Sequence, residues 1–121
     1  MADRDARQFA IELARIAGEN KAEDVVLLDL RGISSLADFV VIATGTSDRQ
    51  MRSVIDQTVE YGRKIGERAF GVEGYDHGVW ILADFIDVVF HIFGRTFREY
   101  YDLELVWGDA PRVEWARSES A

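Results

Sequence analysis

The sequence predicts an α/β fold of the α+β kind: a single domain in which a mixed sheet of four to five strands is flanked by helices. Three observations carry this expectation. Segments with helical and strand-like apolar spacing follow one another in the order α, β, β, α, β, β, α. The last two strands are separated by so few residues that only a hairpin can join them. The 121 residues contain no linker, internal repeat or low-complexity tract that would mark a second domain, and a chain of this length should bury about two thirds of the surface its unfolded form exposes.

Each element has its own warrant. Asp3 or Asp5 can cap a first helix, in which Ala6, Phe9, Ala10, Leu13 and Ala17 keep helical spacing, and Gly18 is expected to end it. VVLLDL (25–30) is short, apolar and β-branched; RGISS breaks it, and FVVIA (39–43) repeats the pattern, so both read as central strands. Ser47 and Gln50 form a capping box for a helix that turns Met51, Val54, Ile55, Thr58, Val59 and Ile65 to one side and closes near Gly66. The glycines of GVEGYDHG mark a loop before the hairpin. Thr96 and Glu99 form a second capping box, predicting a final helix over FREYYDLELVW that stops at Gly108.

Composition narrows the function classes. There are 22 acidic residues against 14 basic ones, a formal net charge of −8. This opposes direct contact with DNA or RNA, whose affinity for proteins comes chiefly from clustered Lys and Arg. The same balance favours encounter with a basic protein. The absence of cysteine excludes a disulfide framework and thiolate metal sites, as a reducing compartment permits. No run approaches the ~20 apolar residues of a membrane span, and MADRDARQF lacks the apolar core of a signal peptide. The cytoplasm is the default compartment, and no cofactor is expected.

The segment from Val79 to Trp107 holds 8 of the chain's 14 aromatics, and acids are threaded among them. If Phe85 and Ile86 form the hairpin loop, Trp80, Leu82 and Asp84 share one face with Asp87, Val89, His91 and Phe93. Val79, Ile81, Ala83, Val88, Phe90 and Ile92 take the other, purely apolar face, which must be core. The mixed face suits a surface that a partner covers, with Trp80 and Phe93 as apolar anchors and the carboxylates receiving Lys or Arg. The plainer alternative is that Asp84 and Asp87 serve the turn and that His91 packs against Trp80. On the final helix Phe97, Tyr101 and Leu105 are most simply core, which leaves Tyr100 and Glu104 freer to meet a partner.

Other motifs carry less. GTS (45–47) lies between a strand and a helix start, where backbone amides can hold phosphate, but a turn and cap explain it more simply. The only D-x-D pair is Asp3 and Asp5, at the amino terminus, where no nucleotidyl-transfer site is expected. His77 with Glu73 and Asp76 lacks a second nearby histidine for a metal.

GISSLADFVVIATGTSDRQ, GVEGYDHGVWILADFIDVVFHIF and REYYDLELVW together resemble the ribosomal silencing factors, the RsfS or Iojap family, over roughly residues 5–108. The resemblance implies a fold related to nucleotidyltransferases without their catalytic carboxylates, and no enzymatic activity. It further implies binding to large-subunit ribosomal protein uL14, where the small subunit docks, so that subunit joining is blocked and translation repressed. Carried over by motif, Trp80, Asp84, Asp87, His91, Tyr101, Glu104 and Trp107 are the residues expected to make or support contact. Leu82, Phe93 and Tyr100 join them from the face and helix assignments. Two positions depart from the family pattern: Ile86 stands where the hairpin turn often has glycine, and Leu105 where a basic residue is common. An isoleucine at a tight turn predicts a register shift by a bulge.

On this reading residues 1–108 form the domain and 109–121 a loosely held tail anchored by Trp115. Two rivals come from other classes: a nucleotidyltransferase-like enzyme that binds nucleotide at GTS, and a homodimer paired through the exposed hairpin.

Overall fold

The computed structural model describes residues 3–100 and 107–117, with side chains from 6 to 98 and from 107 to 117. Five strands form one sheet: β1 (Glu23–Asp29), β2 (Phe39–Gly45), β3 (Gly71–Glu73), β4 (Trp80–Asp84) and β5 (Val88–Gly94). Their spatial order is β1-β2-β5-β4-β3. β2 and β5 run parallel and the other neighbours antiparallel, so the sheet is mixed, as the sequence predicts. Helices α1 (Asp3–Glu19) and α2 (Asp48–Lys64) cover one face, and the short α3 (Arg95–Tyr100) follows β5.

The covered face forms the main core. From α1 it takes Phe9, Ala10, Leu13 and Ala17, and from α2 Met51, Val54 and Ile55. These close over Leu27, Val41, Ile81, Phe90 and Ile92 of the sheet. Phe9 meets Phe85 edge-to-face, with ring centroids 5.0 Å apart. Phe85 is thus a core residue that happens to sit in the hairpin turn, 4% exposed. Thr58, in the middle of α2, is fully buried and donates its hydroxyl to the Ile55 carbonyl at 2.8 Å, so its polar group costs little there.

The helix ends follow local chemistry. Ser47 caps α2 and accepts from the Gln50 amide at 3.0 Å, while the Gln50 side chain accepts from the Thr46 amide. At the other end the Glu67 amide donates to the Gly62 carbonyl at 2.7 Å, and Ile65 turns out to solvent rather than into the core. α1 does not stop at Gly18. It runs one residue further, to Glu19, and the chain turns away at Lys21, whose φ of 73° lets the Lys21 and Ala22 amides close back on Gly18 and Ala17. Gly18 is small for another reason: a Cβ there would lie 2.8 Å from the Trp115 ring.

Several further expectations are corrected. The GVEGYDHG loop contains the edge strand β3, too short to show a period. β1 is an edge strand rather than a central one. It reads as central because its outer edge is also hydrogen-bonded: the Asp29 amide donates to Pro111, the Val113 amide to Leu27, and Trp115 Nε1 to Val25. Arg15 Nε donates to the Trp115 carbonyl from the α1 side at 2.7 Å. Residues 111–115, expected to hang loosely from Trp115, therefore run along the sheet. α3 begins at Arg95, which places Thr96 inside the helix rather than at its cap, and Trp107 sits in a turn. Val79 precedes β4 and is 48% exposed, not core.

Candidate functional site

The hairpin assigns the faces. Trp80 pairs with Phe93, Leu82 with His91 and Asp84 with Val89, so these six side chains lie on one face. That face is opposite α1 and α2. The predicted bulge does not occur. Ile86 takes a φ of 74°, the Asp87 amide donates to the Phe85 carbonyl at 2.9 Å, and Phe85 donates to Val88. The turn is thus tightened about Ile86 and the register preserved, at a cost in backbone strain. Asp84 Oδ1 accepts from the Ile86 amide at 2.7 Å and holds this turn. Asp87 belongs to the turn rather than to β5, and its backbone carbonyl accepts from both Asp38 and Phe39.

Trp80 is the outermost large group, 36% exposed. Its ring stacks on Phe93 at a centroid distance of 5.0 Å, and Phe93 stacks in turn on Phe97 of α3 at 6.3 Å. Phe93 is itself fully buried, so it backs Trp80 rather than meeting solvent. Trp80 Nε1 donates to His91 Nδ1 at 3.1 Å. This fixes the tautomer: with Nδ1 accepting, the neutral ring carries its proton on Nε2. Burial depresses the His91 pKa to about 4, against a smaller upward pull from Asp84. The ring is therefore uncharged at neutral pH.

Beside this ladder lies an apolar cleft of about 360 Å³. Its floor is Val40, Leu82, Val89 and His91, and Trp107 and Asp84 line it further. The opposite wall comes from the β1–β2 connection, through Leu30, Ser34, Leu36 and Ala37. Leu36 stands 85% exposed, in a loop held by the Ser34 hydroxyl, which accepts from the Leu36 amide, and by the Asp38 amide bonded to Asp87. A second hollow of about 240 Å³ lies on the other side of Leu82, between Glu73, Gly74 and Trp80.

Of the expected site residues, Trp80, Leu82, Asp84, His91, Phe93 and Trp107 are gathered on or around this face. Tyr101 and Glu104 lie outside the described residues, as does the side chain of Tyr100. Sequence reasoning missed Leu36 and Glu73. Leu36 gave a signal, since it and Ile33 are large apolar residues in a loop that is otherwise small or polar, whereas Glu73 needed the pairing of β3 with β4.

The weaker motifs take ordinary roles. At GTS the Thr46 amide is engaged by the Gln50 side chain and the Gln50 amide by the Ser47 hydroxyl, and a Cβ on Gly45 would lie 2.1 Å from Met51 Cγ. His77, Glu73 and Asp76 are exposed. Among the described residues no group of three or more His, Asp or Glu side chains is placed to hold a metal ion, and no helix is long and apolar enough to cross a membrane.

Residues 3–121 match the family model described as "Ribosomal silencing factor during starvation". The ribosomal silencing factor RsfS of Halalkalibacterium halodurans is 38% identical over 114 residues, covering 94% of this chain and 95% of that protein. RsfS of Bacillus subtilis is 39% identical over 101 residues, covering 84% and 86%. Among solved structures, a crystal structure of a Chromobacterium violaceum protein superposes with a TM-score of 0.79 at 30% identity, covering 98% of this chain and 95% of that one.

Proposed function

The chain belongs to the ribosomal silencing factor family, and from that premise we propose that it represses translation by docking its open sheet face on the large ribosomal subunit, through ribosomal protein uL14. Occupying that position excludes the small subunit, so the mechanism is steric. It needs no reaction and no cofactor, and it acts on cytoplasmic ribosomes. One observation supports this reading above the others. The sheet leaves uncovered a surface on which a part-exposed Trp80, the half-buried Leu82 and an Asp84 with no ion pair among the described side chains lie side by side.

Such a surface has the composition of an interface core, with an aromatic anchor and apolar neighbours. The excess of 8 negative charges adds long-range attraction toward a basic ribosomal protein, and mainly raises the association rate. The stacking of Trp80 on Phe93 and its bond to His91 hold the indole in one orientation, so little side-chain entropy is lost on docking.

The test is sedimentation with purified large subunits, together with light scattering of subunit joining. The protein is expected to travel with large subunits and to suppress joining in proportion to its occupancy. Failure to co-sediment, with joining unaffected at saturating protein, would sink the reading.

A further inference from the structure

The cleft between the 31–38 loop and the hairpin is built for something more specific than a flat apolar contact. Its lining is mostly aliphatic, yet Asp84 and His91 enter it, together with Ser34, whose hydroxyl already accepts from the Leu36 amide. Asp84 Oδ1 is engaged with the Ile86 amide, which leaves the other carboxylate oxygen able to accept, and the group forms no ion pair with a described side chain. His91 is 8% exposed, and its Nδ1 is occupied by Trp80. Among the described residues its Nε2–H has no hydrogen-bond partner. No fully enclosed side-chain nitrogen or oxygen among the described residues lacks a partner, so Nε2 keeps an opening, and the cleft that His91 lines provides it.

An occupant must therefore satisfy three demands: apolar length for the walls, positive charge for Asp84 and a hydrogen-bond acceptor for His91. A small neutral molecule meets at most two of them. A long cationic side chain of a polypeptide meets all three, because its aliphatic stem, its head and its backbone carbonyl travel together. The volume, about 360 Å³, lies near the lower end of the range for enclosed ligand sites, roughly 300–1,000 Å³. That suits one side chain with its backbone better than a larger ligand. Leu36 at the rim is 85% exposed, and Leu82 borders both this cleft and the hollow beside Trp80. The cleft is continuous with the proposed docking face.

We propose that this cleft receives one arginine or lysine side chain of the ribosomal partner, its charged head beside Asp84 and its stem along Leu82 and Val89 beneath Leu36, with His91 Nε2–H donating to a backbone carbonyl of the same segment. The assignment rests on the docking reading above and names the recognition chemistry of that face. It makes Leu36 an interface residue and gives Asp84 a role beyond the turn.

The experiment compares wild type with Trp80→Ala, Asp84→Asn and Leu36→Ser in sedimentation with large subunits at two salt concentrations. Asparagine retains an oxygen for the Ile86 amide, and Leu36 contributes little to the core, so both variants keep the fold, checked by unchanged melting. Asp84→Asn is expected to bind about tenfold more weakly and with a shallower salt dependence. Leu36→Ser should lose about fivefold, with the wild-type salt dependence. If Trp80→Ala weakens binding while the other two variants bind as wild type does, the docking face stands and the cleft assignment is overturned. If wild type itself fails to sediment, the docking reading falls and the cleft assignment with it. A third result also overturns the assignment: Leu36→Ser halves the mass seen by light scattering yet leaves subunit binding intact, which assigns the cleft to a second copy of this chain.

Discussion

On the helix-covered face of the hairpin Ile81, Ala83, Phe90 and Ile92 are fully shielded, whereas on the other face of the same two strands Trp80 is 36% exposed and Leu82, Asp84 and Val89 are half-buried. The backbone is shared, so the difference is set by what each face packs against. α1 and α2 present mainly apolar groups, with Thr58 bonded within its own helix, and exclude water. Among the described residues the opposite face receives α3, the turn at Trp107 and the rim of the 31–38 loop, and the first two join the smaller cluster of Leu28, Val40, Ile42 and Phe93. One face therefore supplies most of the stability, and the other retains apolar area that folding leaves unused.

The contrast is broken most directly by truncation. Phe90→Ala removes a fully buried ring from the main core and should cost about 3–5 kcal/mol of stability. Chemical denaturation measures this, and a loss below about 1 kcal/mol would mean that the covered face is not the main core. The second expectation concerns protons. Burial holds the folded His91 pKa near 4, below the ordinary 6.5, so between these values the unfolded chain binds more protons than the folded one. Stability then rises with pH across that window. The contribution is fully present above about 6.5 and is lost as pH falls through about 4, amounting to about 3 kcal/mol by linkage. His91→Gln should flatten this part of the stability profile. The exposed His77 and the carboxylates are common to both proteins and cancel in the comparison. Equal slopes for the two proteins would show that His91 is not held neutral by burial.

Trp80→Ala separates the faces by function. It removes a part-exposed ring, so it should cost less stability than Phe90→Ala, yet it should weaken large-subunit binding by on the order of 2 kcal/mol, the usual size for a buried aromatic anchor. Wild-type affinity in a folded Trp80→Ala protein would remove Trp80 from the site.

The two faces also differed in how well the sequence disclosed them. Strand alternation identified Ile81, Ala83, Val88, Phe90 and Ile92 as one set because period two is a local property, but it added Val79, which precedes β4 and is exposed. It placed Trp80, Leu82, Asp84, His91 and Phe93 together for the same reason. What it could not supply was depth. Phe93 and Trp80 share a face and a chemistry, yet Phe93 is buried beneath Trp80 through stacking with Phe97, a contact set by where α3 turns after β5. The cleft was invisible for a related reason: Leu36 and Val89 are brought together only by the parallel pairing of β2 with β5. Edge positions were misread as well. β1 carries the apolar run of a central strand because residues 111–113 hydrogen-bond to its outer side, and no period announces that.

Ile86 gives the finest comparison, between the strain of one turn and the register of both faces. The sequence reading expected an isoleucine there to shift the hairpin by a bulge; instead the residue adopts a φ of 74° and the pairing continues from Asp84–Val89 to Trp80–Phe93. The physical reason is that the alternatives cost more. A one-residue slip would expose Ile81, Phe90 and Ile92 and bury Asp84, whereas a β-branched residue at positive φ costs on the order of 1–3 kcal/mol. The side chain of Ile86 is 60% exposed, so replacing it loses little packing. Ile86→Gly should therefore raise stability by about 1 kcal/mol, the relief of strain exceeding the added entropy of the unfolded chain. It should leave large-subunit affinity unchanged, because the Asp84 bond to the turn amide and the register of Trp80 are both preserved. Destabilisation by Ile86→Gly would show that Ile86 contributes packing that outweighs the strain, and a change in affinity would show that the turn itself meets the partner.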